Sequence, residues 1–289
     1  RMVSLMAASP TDSPDFLFSK LDIKDGFWRV KIDENDAYHF CYVLPPEDGK
    51  EILDINKVTI IIPGSLQMGW TESPPFFCSA TETTRDVAET IINSGIKVKK
   101  HPLEHYCVPP KDWKANLSTT CTDFINQLEL YMEDFILMSQ CQSKQDMILI
   151  SRKVLHAIHT VFPPPNITGH NGDDPISVKK LIEGEGLWEY QKTILGWIFD
   201  GIARSIELPE KKVKEILQEL KTIGRKRNIP LERYQKILGR LRHAAIGIPT
   251  GKGLFTPLYI VLKSTPKIVH LNKDIVLALR DWRTLIKMA

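Results

Sequence analysis

The sequence predicts an α+β protein, with antiparallel strands in the first two-thirds of the chain and helices in the last third. Its 289 residues are 43% hydrophobic, which is enough for a sizeable core and two or three subdomains. Short runs of β-branched and aromatic residues between Gly- and Pro-containing turns indicate strands and hairpins. Near the C-terminus, apolar residues recur at helical spacing, which indicates amphipathic helices.

The first predicted strands lie near the N-terminus. Residues 16–32 are predicted to form a strand, a turn near Asp25-Gly26 and further extended chain. Residues 39–44 and 58–63 are rich in β-branched and aromatic residues, and we expect them to pair as two strands. The prolines and glycine between these two runs favour a loop.

The middle of the chain predicts one helix followed by an inserted loop. Apolar residues follow helical spacing through residues 73–94. Ser73 is a good N-cap, and Pro74 suits the first helical turn. Residues 95–118 contain three prolines and no clear period, which indicates a loop.

A hairpin, a helix and a second hairpin are predicted next. In residues 127–138 an acidic interruption divides two apolar runs, as expected of a hairpin with acids at its tip. Residues 144–161 are predicted to be helical and residues 162–187 irregular. Residues 193–208 suggest another hairpin, with Asp200-Gly201 as its turn.

Three amphipathic helices are predicted in the last third of the chain. Their apolar faces consist of Val213, Ile216, Leu217, Leu220 and Ile223, then Tyr234, Ile237, Leu238 and Leu241, then Ile275, Ala278, Leu279, Trp282, Leu285 and Ile286. Pro209 and Pro230 lie at the starts of the first two helices.

Charge is distributed unevenly along the chain. The net charge of +3 divides into −9 for residues 1–200 and +12 for residues 201–289. A basic end on an acidic body indicates that this end binds a polyanion such as nucleic acid. A solvated basic helical face is the alternative reading of the same residues.

The composition argues against membrane, disulfide and zinc classes of protein. No apolar run approaches the roughly eighteen residues that a membrane span needs. Nothing at the N-terminus resembles a signal peptide, and the chain begins at Arg1, so we expect an excised part of a longer protein. The five cysteines are scattered and odd in number, which argues against a disulfide framework and favours a reduced intracellular environment, cytoplasm or nucleus. Neither the cysteines nor the eight histidines show metal-ligand spacing, which argues against a zinc site.

Carboxylates occur at two places where a buried strand would not favour them. Asp22 lies between Leu21 and Ile23, and Glu133 with Asp134 interrupts two apolar runs. Buried acids are costly unless they are paired or bind a metal. If these acids meet, they suit two Mg²⁺ ions, or Mn²⁺, for in-line attack on a phosphate. A solvated acidic hairpin tip is the alternative.

Four segments in this order resemble motifs of the reverse transcriptases of retrotransposons, and residues 162–165 and 169–177 resemble stretches of long-terminal-repeat-type elements. The four segments are Phe18-Ser19-Lys20-Leu21-Asp22-Ile23-Lys24-Asp25-Gly26-Phe27-Trp28, Leu66-Gln67-Met68-Gly69-Trp70-Thr71-Glu72-Ser73-Pro74, Tyr131-Met132-Glu133-Asp134 and Ile194-Leu195-Gly196-Trp197. Each is short, but four in the family's order, followed by basic helices, form a specific combination.

The resemblance implies a right-hand polymerase fold, with an antiparallel palm sheet backed by helices, partial fingers and a helical thumb. Residues 1–200 would form the partial fingers and palm, and residues 201–289 the basic thumb and the start of a connection region. The implied enzyme is an RNA-directed DNA polymerase that adds deoxynucleotides to a primer 3′-hydroxyl. Its partners would be dNTP and an RNA/DNA or DNA/DNA primer–template duplex, without a membrane. An RNase H domain is expected to follow in the full-length polyprotein.

The resemblance also implies roles for individual residues. The catalytic residues would be Asp22, Glu133 and Asp134, and the metal ligands would be these three together with Ile23. The nucleotide pocket would contain the steric gate Phe27, together with Met68, Gly69 and Trp70. The primer end would be held by Leu195, Gly196 and Trp197. Phosphate contacts would come from Lys211, Lys212, Lys214, Arg225, Lys226, Arg227, Arg240 and Arg242.

Two features depart from the family's pattern. Glu133 stands where the family has a metal-binding aspartate, and its longer arm displaces the carboxylate by about one C–C bond. Only 21 residues precede Asp22, whereas the family's basic finger residues lie further upstream. A catalytically decayed nucleic-acid-binding protein and a purely structural subunit are therefore the alternatives to an active polymerase.

Overall fold

The chain combines helices with small antiparallel sheets, a mixed architecture compatible with the predicted α+β class. The computed structural model describes residues 1–45, 58–114, 124–141, 143–165, 173–224, 226–264 and 267–288. The chain divides into two compact units, residues 1–190 (unit 1) and residues 191–289 (unit 2).

In its described residues, unit 1 contains a three-stranded sheet, a two-stranded sheet and helices. Its strands are β1 (Leu17–Asp22), β2 (Tyr42–Val43), β3 (Ile60–Ile61), β4 (Asn126–Tyr131) and β5 (Asp134–Ser139). Its helices are α1 (Met2–Ala8), α2 (Ser73–Asn93), α3 (Lys144–Val161) and α4 (Val178–Ile182). Short 3-10 helices cover Gly26–Arg29, Ala37–Phe40 and Glu104–Tyr106.

The three-stranded sheet has the order β1-β5-β4, and both pairs are antiparallel. Burial explains the central position of β5, because every residue from Phe135 to Ser139 is buried, as in strands covered on both faces. Helix α2 packs against α3 and β4, and its residue Phe77 is fully buried in the resulting core.

Over its described residues, unit 2 combines two further antiparallel sheets with four α-helices. Its strands are β6 (Gln191–Ile194), β7 (Trp197–Asp200), β8 (Ser205–Glu207), β9 (Asn228–Pro230) and β10 (Ile268–His270). Its helices are α5 (Glu210–Ile223), α6 (Leu231–Ala244), α7 (Phe255–Ile260) and α8 (Lys273–Met288). Its core contains Trp282 and Tyr234, and the Tyr234 hydroxyl donates to the Leu258 carbonyl at 2.9 Å.

Most predicted elements are present. The helices expected at residues 73–94 and 144–161 and the three expected in the last third are confirmed as α2, α3, α5, α6 and α8. The β2–β3 pair and the β4–β5 hairpin are also confirmed. The predicted hairpin at residues 193–208 is a three-stranded meander, β6-β7-β8, with an additional turn at Leu195–Gly196.

Two local predictions are wrong. Ser73 does not cap α2 with its side chain, because its hydroxyl donates to the Gln67 carbonyl at 2.7 Å instead. The chain after β1 is not extended, because Gly26–Arg29 forms a 3-10 helix. Gly26 there approaches the Phe77 ring so closely that a Cβ would overlap it, and this long-range contact has no local signature.

The two units divide at residues 190 and 191, whereas the sequence predicts a boundary between residues 200 and 201. The assignment of palm and thumb to these parts stays a prediction. No helix within the described ranges is both long and apolar enough to cross a membrane. Cys41, Cys78, Cys107 and Cys141 are free thiols. Cys121 and parts of the predicted segments 95–118 and 162–187 lie outside the described residues.

Candidate functional site

The carboxylates of Asp22 and Asp134 lie beside each other at one end of the three-stranded sheet. Asp22 is the last residue of β1 and Asp134 is the first of β5, and the antiparallel register pairs them directly. Directly opposed residues have Cβ atoms about 5 Å apart. The fold therefore brings together two acids that are far apart in the sequence, as the sequence predicts.

A tight turn presents Asp134. Strands β4 and β5 pair as far as Tyr131 and Asp134, which leaves only Met132 and Glu133 in the turn. Met132 has φ 55°, a left-handed conformation that favours glycine or asparagine and that two-residue hairpin turns require. The Ile23 N–H donates to the Glu133 carbonyl at 3.1 Å, which attaches the turn to the end of β1.

Two lysine ammonium groups lie beside the acids. Lys180 Nζ is 2.7 Å from Asp22 Oδ1. Lys20 Nζ is 3.3 Å from Asp134 Oδ1 and 3.1 Å from Glu185 Oε2. We call these five residues the carboxylate cluster. Its three carboxyl groups outnumber its two ammonium groups.

Burial and charge oppose each other at Asp22. Asp22 is 5% exposed. Burial raises the pKa of its carboxyl to about 6, Lys180 opposes this rise, and the charge of Asp134 adds to it. Burial alone would lower the pKa of Lys180, but the hydrogen bond and charge of Asp22 raise it above its ordinary value. Above pH 6, Asp22 is therefore mainly ionised and paired.

Glu133 lies in the turn but outside the carboxylate cluster. Among the described residues, its carboxylate has no hydrogen-bond or ion-pair partner. Throughout the residues that the structure describes, no three His, Cys, Asp or Glu side chains converge to form a site that could hold a metal ion. The fold thus brings two of the three predicted carboxylates together, and the metal-binding roles of Asp22, Ile23, Glu133 and Asp134 stay predictions.

The chain before α4 closes the other side of the site. The Ser177 N–H donates to the Asp22 carbonyl at 2.8 Å, and Ile23 pairs with Ile176 in an isolated bridge. Helix α4 follows immediately and carries Lys180. The sequence does not predict Lys180 as the partner of Asp22. The position of Lys180 depends on where the short helix α4 packs in the tertiary structure.

Phe27, the predicted steric gate, lies on the 3-10 helix that follows β1. The centroid of its ring is 5.0 Å from that of Phe77 in α2. Phe27 is partly buried against the core of unit 1. Packing therefore fixes its position, and its action as a gate stays a prediction.

The other predicted pocket residues precede α2. Trp70 lies edge-on to Phe40 with 4.6 Å between ring centroids, and stacks on Phe76 at 5.7 Å. Met68 is 72% exposed, and Gly69 has φ 95°, a conformation that glycine adopts without steric cost. Trp70 thus belongs to an aromatic group, whereas Met68 is available to a ligand.

In unit 2, the predicted primer-end residues form a hairpin turn. Ile194 pairs with Trp197, and Leu195 and Gly196 form the turn between them. Both turn residues have positive φ, 49° and 78°, as in the type I′ turns that suit two-residue hairpins. Their contact with a primer stays a prediction.

The predicted phosphate contacts differ in their surroundings. Four have partners within the protein: Lys212 with the Gly196 carbonyl (3.1 Å), Lys214 with Glu210 (2.6 Å), Arg240 with Glu219, and Arg242 with the ring and hydroxyl of Tyr259. Three others are exposed: Lys211, Lys226 and Arg227. Arg225 lies outside the described residues.

Two histidines of unit 1 form a hydrogen-bonded chain with an acid. His101 Nδ1 accepts from the Leu103 N–H at 3.1 Å, so its Nε2 carries the proton and donates to His159 Nδ1 at 3.0 Å. His159 Nε2 in turn donates to Asp174 at 3.0 Å. Burial lowers the pKa of His101 to about 4, with His159 and His156 acting in the same direction. This series of hydrogen bonds requires neutral imidazole rings, and it occupies the ring nitrogens of His101 and His159 that would otherwise be free to bind a metal ion.

No protein-family model matches the chain, and no curated protein is significantly similar to it in sequence. Three features of its own bear on function: the carboxylate cluster, the Leu195–Gly196 turn and the exposed basic residues of unit 2.

Proposed function

We propose that the chain is the polymerase part of a reverse transcriptase of the long-terminal-repeat retrotransposon type, with a right-hand polymerase fold. Unit 1 supplies the palm and partial fingers, and unit 2 supplies the primer-end hairpin and the thumb. The observation that carries the proposal is the pairing of Asp22 with Asp134 in adjacent antiparallel strands, within two segments that resemble this family's catalytic motifs. An intracellular location, cytoplasm or nucleus, belongs to the same proposal.

The carboxylate cluster fits a magnesium ion. Mg²⁺ is commonly bound through one or two carboxylates together with substrate phosphates and water, and Asp22 and Asp134 are two adjacent carboxylates of this kind. The ammonium groups of Lys180 and Lys20 already lie against them, where a cation is favourable. A bound pair of ions supplies activation of the primer 3′-hydroxyl and charge stabilisation of the leaving pyrophosphate.

The protein's own residues fix the geometry of this step. Asp22 and Asp134 lie on paired strands rather than on a loop, so their carboxylates keep a constant separation. The low exposure of Asp22 excludes water from one side of the site. Asp22 and Asp134 would hold a metal ion, and the Lys180 ammonium group, 2.7 Å from Asp22 Oδ1, would be within the same site to contact phosphate oxygens of the nucleotide.

A non-catalytic nucleic-acid-binding protein with the same fold is the second candidate. Glu133 favours it, because its side chain lies outside the carboxylate cluster and is longer than the family's aspartate. The exposed Lys211, Lys226 and Arg227 suit phosphate binding under either candidate.

Primer extension separates the two candidates. The protein is incubated with a primed RNA template, dNTPs and Mg²⁺, and binding of the same duplex is measured in parallel. The polymerase proposal expects extension that stops on chelation of Mg²⁺. Duplex binding without extension in either Mg²⁺ or Mn²⁺ favours the binding protein, and absence of binding contradicts both candidates.

A further inference from the structure

Side chains from two different helices hold the Leu195–Gly196 turn of unit 2. Lys212 of α5 donates from Nζ to the Gly196 carbonyl at 3.1 Å. His243 of α6 donates from Nε2 to the Leu195 carbonyl at 2.8 Å. These two bonds satisfy successive carbonyls at the end of a hairpin, where water would otherwise be their partner.

Close packing supports both hydrogen bonds. A Cβ at Gly196 would overlap the Lys212 ammonium group and would lie 3.3 Å from His243 Nε2. The buried Trp197 ring stacks on the His243 ring with 5.7 Å between centroids. A Cβ at Gly247 would overlap the same Trp197 ring. The turn therefore has little freedom to move relative to α5 and α6.

The turn needs such support, because leucine is unfavourable in its conformation. Leu195 has φ 49°, and the left-handed region carries a steric cost for a residue with a side chain. The two donors offset this cost by fixing the carbonyl directions of both turn residues. As a result, the Leu195 side chain is held at the tip of the hairpin and is 40% exposed.

We propose that Lys212 and His243 are positioning residues, which hold the Leu195–Gly196 turn in the orientation that receives the 3′ end of a primer strand. This inference rests on the proposed function, which assigns the hairpin to the primer end. It also changes the role of Lys212, which acts through the turn rather than on a phosphate. Lys211, its exposed neighbour, remains a phosphate contact.

The test compares two labelled duplexes of equal length and needs no catalysis. One has a recessed primer 3′ end on a longer template, and the other continues without a primer end. The ratio of their dissociation constants, from fluorescence anisotropy, measures preference for the primer end. Lys212→Met removes the donor at similar length, and His243→Phe removes the other donor while keeping a ring against Trp197. Lys211→Met is the matched control, because it removes the same charge from the exposed side of α5.

The proposal expects the wild-type protein to prefer the recessed end. Lys212→Met and His243→Phe should each reduce that preference by about tenfold, the change expected for about 1.4 kcal/mol of lost interaction, and should leave affinity for the continuous duplex nearly unchanged. Lys211→Met should weaken binding of both duplexes equally and keep the preference.

Several results would overturn the proposal. If Lys212→Met weakens both duplexes as Lys211→Met does, Lys212 is a phosphate contact. If both donor variants keep the preference and only lower the unfolding temperature, the two bonds stabilise the fold alone. A wild-type protein that binds duplex without end preference refutes this inference but not the proposed function. A wild-type protein that binds neither duplex refutes both. Lys212→Leu, which also removes the donor to the Gly196 carbonyl, replaces Lys212→Met if that variant does not fold.

Discussion

Among single residues, Asp22 combines near-complete burial, a raised carboxyl pKa and a direct ammonium partner. Burying a charge is costly, and a buried ion pair seldom recovers the whole cost. Such residues are concentrated at functional sites, where charge is needed in a low-dielectric environment. The free-energy cost of burying the Asp22 carboxylate is consistent with a role in binding a cation rather than in stabilising the fold.

Replacing Asp22 with Asn removes the charge and keeps the size of the side chain. We expect Asp22→Asn to reduce primer extension by at least about a hundredfold, because even outer-shell partners of metal ligands contribute about 10–100-fold. Duplex affinity should change little. Asp33→Asn, at an exposed acid of unit 1, is the control, and extension at the wild-type rate by Asp22→Asn would contradict the assignment.

Shortening Glu133 to Asp restores the arm length that the family's motif has at this turn. We expect Glu133→Asp to raise the rate of nucleotide addition, by up to about a hundredfold, since a misplacement of about 1 Å can cost that much. Binding of duplex should not change, because the effect is on alignment of reacting groups. A lower single-turnover rate in Glu133→Asp would mean that the site has adapted to glutamate.

His101 should make stability depend on pH. Its pKa is about 4 in the fold and 6.5 ordinarily, so the unfolded chain binds more protons between these values. The stabilisation is therefore complete above about pH 6.5 and is lost as pH falls towards 4, by at most about 3 kcal/mol. Urea unfolding across this range should show a shallower pH dependence for His101→Gln than for the wild type. The exposed His105 provides the control variant His105→Gln.

At the scale of elements, the sequence predicts the long helices and the β4–β5 hairpin because their apolar spacing is local and continues over many residues. The 3-10 helix at Gly26–Arg29 escapes prediction because it depends on Phe77, which is distant in the chain. Strands β9 and β10 are not predicted from the sequence, because each has only three residues, too few for a periodic pattern.

The same distinction applies to the candidate site. The pairing of Asp22 with Asp134 follows from motif resemblance and strand prediction, because each acid terminates or begins a recognisable strand. The roles of Lys20, Lys180 and His243 require knowledge of which helix or strand lies next to which carbonyl or carboxylate. That information is tertiary and has no signal in local spacing.

The contact between α8 and the chain before α7 gives a prediction at this scale. A Cβ at Gly251 would overlap the buried Trp282 ring of α8, whereas a Cβ at Gly253 would meet nothing within 4 Å. Gly251→Ala should therefore lower the free energy of unfolding by about 1–3 kcal/mol, as overpacking commonly does. Gly253→Ala is the matched control and should be close to wild type in urea denaturation. Equal stability of the two variants would show that α8 is free to move.

For the whole molecule, charge follows the division into units. Residues 1–190 contain 18 Lys and Arg against 27 Asp and Glu, a net of −9, and residues 191–289 contain 20 against 8, a net of +12. The segregation predicted from the sequence therefore coincides with the compact units. Binding of the duplex phosphates is therefore expected mainly of unit 2.

Affinity for duplex should therefore decrease as the salt concentration rises, because the basic residues of unit 2 contact the phosphates. Replacing Lys211, Lys226 and Arg227 with Ala together should lower affinity and reduce the slope of log affinity against log salt by about one for each lost contact. The control triple variant replaces Lys97, Lys99 and Lys100, which are exposed in unit 1, and should leave the slope unchanged. Equal slopes for both triple variants would show that the exposed cations of unit 2 are only solvated.

The segregated charge also governs how molecules of this protein meet one another. With a net charge of only +3, long-range repulsion between copies is weak, while the acidic unit of one copy attracts the basic unit of another. Dilute buffers preserve that attraction, and about 0.1 M salt shortens its range to roughly 10 Å. The protein should consequently salt in, turning cloudy on dialysis against low-salt buffer and clearing when salt is restored.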